Sequence, residues 1–336
     1  PLRLTRGPER ILALALGEVE LEPEISVVES GAVAPTLNEL YGELIDAPHV
    51  ELRDDGPRGQ PVFVKRIPVT FAPAASMGGT IHFPRWFFWL GEVREAAMWP
   101  ILGRVSDQLV NDGKGMVTNH SSLRIVGQAT SHDRIECRFW ADGVSGSAGS
   151  TVDLVADFRR MLPDGGVERL AWAEQRITWV RVLDHGVVEP EPFPAYYTEF
   201  LGAMLPDDDG RASMEPIAEP LAALETSEPL YRAPAGPVVR PLLIEETIET
   251  GQEHSNLVGN LYYAHYYAFQ SKLIGKYFHD VSPDAFLRSG GELLCLDCRV
   301  DHLREAMPFD RIEVKMALRE FYPDGALFHF EYFRKN

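Results

Sequence analysis

The segment Asn256-Leu-Val-Gly259-Asn-Leu-Tyr262-Tyr263-Ala-His265-Tyr266 gathers an amide, a glycine, phenols and an imidazole ahead of an apolar, helix-like run. Such groups suit chemistry in which a carbonyl is held and a water is placed. Backbone N–H groups at a helix N-terminus, helped by the helix dipole, stabilise an oxyanion. Gly259 would let a carbonyl approach that backbone closely. Asn256 could orient the water or hold the carbonyl, and Tyr266 or Tyr263 could donate to the oxyanion. His82 and His265, near two helix starts, are candidate general bases with an ordinary pKa near ~6.5.

Each of these residues also has a plainer role. Asn256 suits a turn or a helix cap. The tyrosines suit the packed face of an aromatic helix, and the histidines suit satisfied interior or rim positions. Glu95 could pair with Arg94 or Arg85, and Glu92 stands as a lone carboxylate. There is no G-x-S-x-G elbow, P-loop, G-x-G-x-x-G or HExxH spacing, so neither a metal nor a nucleotide cofactor is expected. Cys295-Leu-Asp-Cys298 has CxxC spacing but lies in a strand-like run, where residues three apart point to opposite faces and would not share a site.

The elements that must position these groups occur twice. Ser76-Met-Gly-Gly79-Thr-Ile-His82-Phe-Pro84-Arg85-Trp86 has the layout of the Asn256 segment, and Gly79 and Gly259 are 180 residues apart. Asp133-Arg-Ile-Glu136 recurs as Asp310-Arg-Ile-Glu313, 177 residues apart and so in nearly the same register. Strand-like segments precede each glycine, over residues 62–71 and 242–250. Alternating strands follow each D-R-I-E, over 135–141 and 151–161, then 312–318 and 326–333. The first helix is expected from Pro84, which suits a first helical turn, to near Trp99. Its apolar character nearly all round marks it as buried.

The organisation expected is therefore an extension over 1–58, a first unit over 59–205, an acidic linker over 206–237 and a second unit over 238–336. The linker contains Asp207-Asp208-Asp209 and six prolines. The chain opens at Pro1 without Met, and is read as a processed or excised piece of a larger polypeptide. In its 336 residues, 50 acids face 32 bases, a formal charge of −18. That balance argues against a general nucleic-acid binder and against docking on an anionic membrane surface. No apolar run approaches the ~20 residues that span a bilayer. Three cysteines imply no disulfide framework and fit a reducing cytoplasm.

One long helix wrapped by a curved antiparallel sheet is the hotdog unit, so two units imply an α+β double hotdog, a pseudo-dimer. The second half resembles the hotdog thioesterases of enediyne polyketide pathways. The likeness rests on Asn256-Leu-Val-Gly-Asn-Leu-Tyr-Tyr263, Tyr266 and Gln270, then Leu294-Cys-Leu-Asp-Cys298, Pro308-Phe-Asp-Arg-Ile-Glu-Val-Lys-Met316 and Phe330-Glu-Tyr-Phe333. The first half resembles that family through Trp89-Leu-Gly91-Glu-Val-Arg94-Glu95. The resemblance implies hydrolysis of an acyl thioester without an acidic nucleophile or base. The polar groups would be an Asn in the loop before the helix, an Arg within the helix and a nearby Tyr.

Mapped here, the Asn is Asn256 and the Tyr is Tyr266, but the helical Arg falls on Ile274. In the first copy the Arg is Arg94, while Ser76 and Trp86 stand at the other two positions. Neither half has the full set, which suggests one composite site between the units. The implied substrate is an acyl chain on the phosphopantetheine arm of an acyl carrier protein, within reach of other polyketide synthase domains. Its walls would include Tyr262, Tyr263, Gly79, Trp89 and further aromatic residues of the two helices. Arg85, Lys272 and Lys276 are the candidate basic residues for docking an acidic carrier.

Other readings stay open on the same fold. One is acyl transfer with decarboxylation. Another is dehydration or cyclisation, although Ala75 stands where the dehydratase His belongs. The last is a non-catalytic scaffold that binds a carrier-attached intermediate.

Overall fold

In the computed structural model the residues described are 51–70, 80–131, 133–146, 149–183, 187–206, 228–234, 241–283, 293–323 and 325–335. Ser76, Gly79, most of the extension and most of the linker lie outside them. All described residues belong to one compact unit, Ala47–Asn336.

The first half is built around helix α1, Pro84–Ala97. Trp86, Phe87, Trp89, Leu90 and Val93 bury almost its whole circumference, as its composition requires. Strands β2 (Val62–Pro68), β3 (Lys114–Ile125), β4 (Arg134–Ser145), β5 (Thr151–Met161) and β6 (Val167–Val182) lie in the order β2-β4-β5-β6-β3, and neighbours run antiparallel. The short strand β1, Glu51–Arg53, comes from the extension and pairs with β2. Strand β7, Val188–Pro190, pairs with the end of β6.

Two helices were not legible in the sequence. Helix α2, Trp99–Asp112, begins directly after α1 and ends on Gly113 at φ 63. Pro100 restarts the helix in its first turn instead of ending it, which is where proline is tolerated. Helix α3, Ala195–Gly202, follows β7.

The second half repeats the plan. Helix α4, Ala264–Val281, sits against strands β9 (Leu242–Glu249), β11 (Arg311–Tyr322) and β12 (Gly325–Lys335). A two-residue strand β8, Tyr231–Arg232, pairs with the far end of β11. Strand β10, Asp297–Asp301, does not join this sheet. It pairs antiparallel with β3 of the first half, with Ser121 opposite Val300 and His120 opposite Asp301. Among the described residues no strand of the second half corresponds to β6.

The pairing of β3 with β10 follows the sequence repeat. Residues 120 and 121 pair with residues 301 and 300, so each faces the near equivalent of itself, as two-fold-related surfaces do. Phe87 and Tyr267, also 180 residues apart, stack with ring centroids 3.4 Å apart and planes within 9°. The Tyr267 hydroxyl donates to the Ser121 carbonyl at 2.7 Å and shares a bond of 2.9 Å with Ser121 Oγ. Tyr263 Oη donates to the Phe87 carbonyl at 2.6 Å. The halves are thus locked helix to helix and strand to strand.

The expectation for the CxxC pair needs correction. Strand β10 begins at Asp297, so Cys295 lies outside it and escapes the alternation of faces. The two thiols meet: burial and a hydrogen bond with Cys295 both raise the Cys298 pKa. No described helix is long and apolar enough to cross a membrane.

Removing the hydroxyl that ties α4 to β3 tests the join. Tyr267→Phe leaves Ser121 Oγ buried without this partner and is expected to lower the unfolding free energy by about 1–2 kcal/mol in urea denaturation. No change would show that the bond contributes nothing to holding the halves together.

Candidate active site

The loop from β9 to α4 is a tight turn made by its own polar groups. Asn256 Oδ1 accepts from the Val258 N–H at 2.9 Å, and the Asn256 carbonyl accepts from the Gly259 N–H at 2.9 Å. The Asn256 N–H closes the turn on the Asn260 carbonyl at 3.1 Å. Gly259 sits at φ 83, the left-handed region that favours glycine, and a Cβ there would touch nothing. Its glycine is therefore set by the turn and not by a close approach. Asn256 fills the turn role with its oxygen and keeps its side-chain N–H₂ for another partner.

The helix N-terminus is less available than the sequence implies. The His265 and Tyr266 N–H groups donate to the Tyr262 and Tyr263 carbonyls at 3.0 and 3.3 Å. Charge at the site comes instead from α1. Arg94 is buried, with Nη1 on Gln175 Oε1 at 3.0 Å and Nη2 on Glu95 Oε1 at 3.4 Å. Its guanidinium lies 5.6 Å from the centre of the Tyr263 ring. Burial opposes its charge, but Tyr262, Tyr263 and Glu95 outweigh that and keep it cationic.

Arg94 and Asn256 line one cavity of about 530 Å³, within the usual range for a small-molecule site. One wall is apolar: Leu102, Val105 and Leu109 recur at helical spacing along α2, with Met98 at its N-cap and Met116 and Ile177 also in the lining. Tyr262, Tyr263, Tyr266 and His265 complete the boundary from the second half. Three lining residues each hold a buried polar atom without a partner: Arg94 Nε, Asn260 Oδ1 and His302 Nε2. Buried polar atoms left unpaired are uncommon in folded proteins, and these three are open to a ligand or a water.

Of the residues expected from sequence, Asn256, Arg94, Tyr266, His265, Tyr262 and Tyr263 meet at this cavity. His82 does not line it. It is exposed and hydrogen-bonds Ser271 Oγ on α4. Trp89 is core, edge-on to Trp86 at 5.3 Å with Arg85 5.8 Å from its ring. Gly79 is outside the described residues.

His265 has its pKa lowered to about 4, first by burial and then by His254 beside it, so it is a poor base at neutral pH. Burial, then Glu305 and Asp310, push the Tyr266 phenol up and keep it a protonated donor.

The basic trio expected to dock a carrier protein does not form a free patch. Arg85 pairs with Glu92 at 3.7 Å, Lys276 with Glu246 at 3.2 Å and Lys272 with the same Glu246. With every member already partnered, that assignment is withdrawn.

Sequence reasoning missed Glu305, His302 and Asn260. Glu305 and His302 lie in the charged-looking segment between β10 and β11, which no spacing marks. Backbone bonds bring the segment in: His302 N–H to the Asn119 carbonyl at 2.8 Å, and Leu261 N–H to the Ala306 carbonyl at 2.7 Å. Asn260 stands inside the quoted motif, and its proximity to Asn256 was the available signal.

No protein-family model matches the chain, and no curated protein matches it. Solved structures do. A protein described as an oleoyl thioesterase from Lactobacillus plantarum aligns over 83% of this chain and 93% of its own, at TM-score 0.56 and 9% identity. An acyl-ACP thioesterase from Bacteroides thetaiotaomicron aligns over 81% and 92%, at TM-score 0.51 and 11% identity. The chain has the α+β hotdog fold. The Dynemicin thioesterase matches a shorter stretch, 42% of this chain and 96% of its own, at 25% identity and TM-score 0.38.

Within this hotdog fold the cavity wall depends on Gly91 of α1. A Cβ added there would fall on Tyr262 Oη, whose ring is packed by Phe88 and Tyr263. Alanine normally gains about 1 kcal/mol over glycine inside a helix, but overpacking costs about 1–3 kcal/mol. Gly91→Ala should therefore lower the melting temperature; a rise would mean that Tyr262 yields freely.

Proposed function

We propose that this chain hydrolyses acyl thioesters, working as a double hotdog with one composite site. The observation that carries the reading is that Arg94 of the first half and Asn256 of the second line the same cavity. The pseudo-equivalent pair, Ser76 and Ile274, has neither the amide nor the cation. One of two related sites thus keeps a full set of groups.

The thioester carbonyl would sit between the Arg94 guanidinium and the Asn256 side-chain N–H₂. A fixed cation and a fixed donor, held where little water competes, stabilise negative charge as it develops on that oxygen. The Tyr266 phenol adds a further donor. The acyl chain would lie along the apolar face of α2. Water is the only co-substrate, so the reading requires no metal or nucleotide.

The names of the acyl-ACP thioesterase and the oleoyl thioesterase of like fold support an acyl thioester as the substrate class. The likeness to enediyne thioesterases in the motif around Asn256 supports a polyketide intermediate on a carrier protein, and hence a cytoplasmic reaction. Where the carrier docks is not assigned to any basic trio.

Release of free thiol from acyl-phosphopantetheine and acyl-carrier thioesters, followed in single turnovers, is the test. Arg94→Ala and Asn256→Ala should each reduce the rate by about 10²–10³-fold. His82→Ala should leave it unchanged. Binding of acyl carriers without thiol release would overturn hydrolysis in favour of a scaffold, and formation of a transferred or dehydrated product would favour the other reactions known on this fold.

A further inference from the structure

Glu305 is a carboxylate that neither the sequence nor the proposed mechanism uses. It lines the cavity that holds Arg94 and Asn256. Asn260 Nδ2 donates to Glu305 Oε2. That carbonyl-anchored turn, closed by the bond from Asn256 N–H to the Asn260 carbonyl at 3.1 Å, connects the carboxylate to the reacting amide through one short loop. The ring of His302 packs edge-on against Tyr266 at 4.8 Å, three residues before Glu305 in the same segment. Asn260 Oδ1 and His302 Nε2 are buried polar atoms without partners around this corner of the cavity. The lining of this cavity thus offers a carboxylate, an amide oxygen and an imidazole nitrogen to a water molecule.

We propose that Glu305 is the general base that activates the attacking water, an inference that rests on the thioester-hydrolase reading. The enediyne enzymes that the motif resembles are expected to work without an acidic base, so this chain departs from them here. The carboxylate takes a proton from water as the water oxygen bonds to the carbonyl carbon. The oxyanion that forms is held by Arg94 and Asn256. As it collapses the C–S bond breaks, sulfur leaves with the electron pair, and the proton on Glu305 passes to it. The products are a carboxylic acid and a free thiol, with no redox change.

The surroundings fit a base. Burial raises the Glu305 pKa from its ordinary value, and the bond from Asn260 lowers it only in part. The groups facing the same space are Tyr266 and His265 of α4, Glu253, Tyr262 and Tyr263 on the approach to α4, His302 on its own segment, and Arg94, Glu92 and Glu95 across the cavity on α1. His302 has its pKa lowered to about 4 by burial, so it contributes no charge at neutral pH. His265 is also neutral for the same reason. Glu305 is thus a more basic carboxylate than an exposed one.

The variant Glu305→Gln is decisive because the amide oxygen can still accept from Asn260 while no base remains. With the wild-type chain shown to release thiol, Glu305→Gln should lose about 10²–10⁴-fold in kcat with KM little changed. The wild-type rate should climb with pH along an acidic limb whose apparent pKa lies above that of an exposed glutamate, and this limb should vanish in the variant. Hydroxylamine, a nucleophile that attacks without a base, should restore acyl release in the variant. Glu305→Asp, a second variant in case the first folds poorly, should keep the limb at reduced kcat.

A wild-type-like rate and an unaltered limb in Glu305→Gln would overturn this role while leaving the hydrolase reading intact. Equal loss with and without hydroxylamine would reassign Glu305 to holding the loop. No thiol release by the wild-type chain on any acyl thioester would remove the hydrolase reading itself, and this inference with it.

Discussion

The stack of Phe87 on Tyr267 fixes everything else about the site. Two rings in near-parallel contact between helices α1 and α4 allow little sliding, because interiors are close-packed and each ring is held by its own helix. The β3–β10 pairing sets the same relation a second time, by hydrogen bonds along a strand edge. One constraint governs the helix faces and the other the sheets. Together they bring the last turn of α1, where Arg94 stands, to the cavity that Asn256 also lines.

This arrangement explains why a pair of similar halves can tolerate an incomplete set of groups in each. Arg94 of one half and Asn256 of the other line one cavity, so a set of groups can be split between them. A guanidinium removed from water costs several kcal/mol unless it is compensated. Arg94 is compensated by Gln175, Glu95 and the face of Tyr263. The position that repeats it carries Ile274, which packs against the core and needs no such compensation. Keeping one cationic site and filling the other with hydrocarbon is the economical solution once a single reaction centre suffices.

Much of the framework could be read from sequence because it is local or periodic. Pro84 marks the start of α1, the alternating residues of 151–161 and 312–318 mark strands, and the spacing of Gly79 and Gly259 marks the repeat. Helix α2 was hidden because Pro100 reads as a stop when judged alone, whereas the fold places it in a first turn. Asn256 and Arg94 were legible through resemblance, and their meeting required the three-dimensional join. Glu305 and His302 were illegible, since a segment of charged appearance becomes interior only through backbone bonds to Leu261 and Asn119. Trp89 and His82 erred the other way: their types suggested function, but packing on Trp86 and a bond to Ser271 give them structural places.

The central claim is that one reaction centre is shared between the halves. The most direct measurement is a crystal structure of the chain with a non-hydrolysable thioether analogue of an acyl-pantetheine that retains the carbonyl. The account requires that carbonyl oxygen within about 3 Å of both the Arg94 guanidinium and the Asn256 side-chain nitrogen, with the acyl chain along α2. An analogue seated beside Ile274, or contacting residues of only one half, would contradict it.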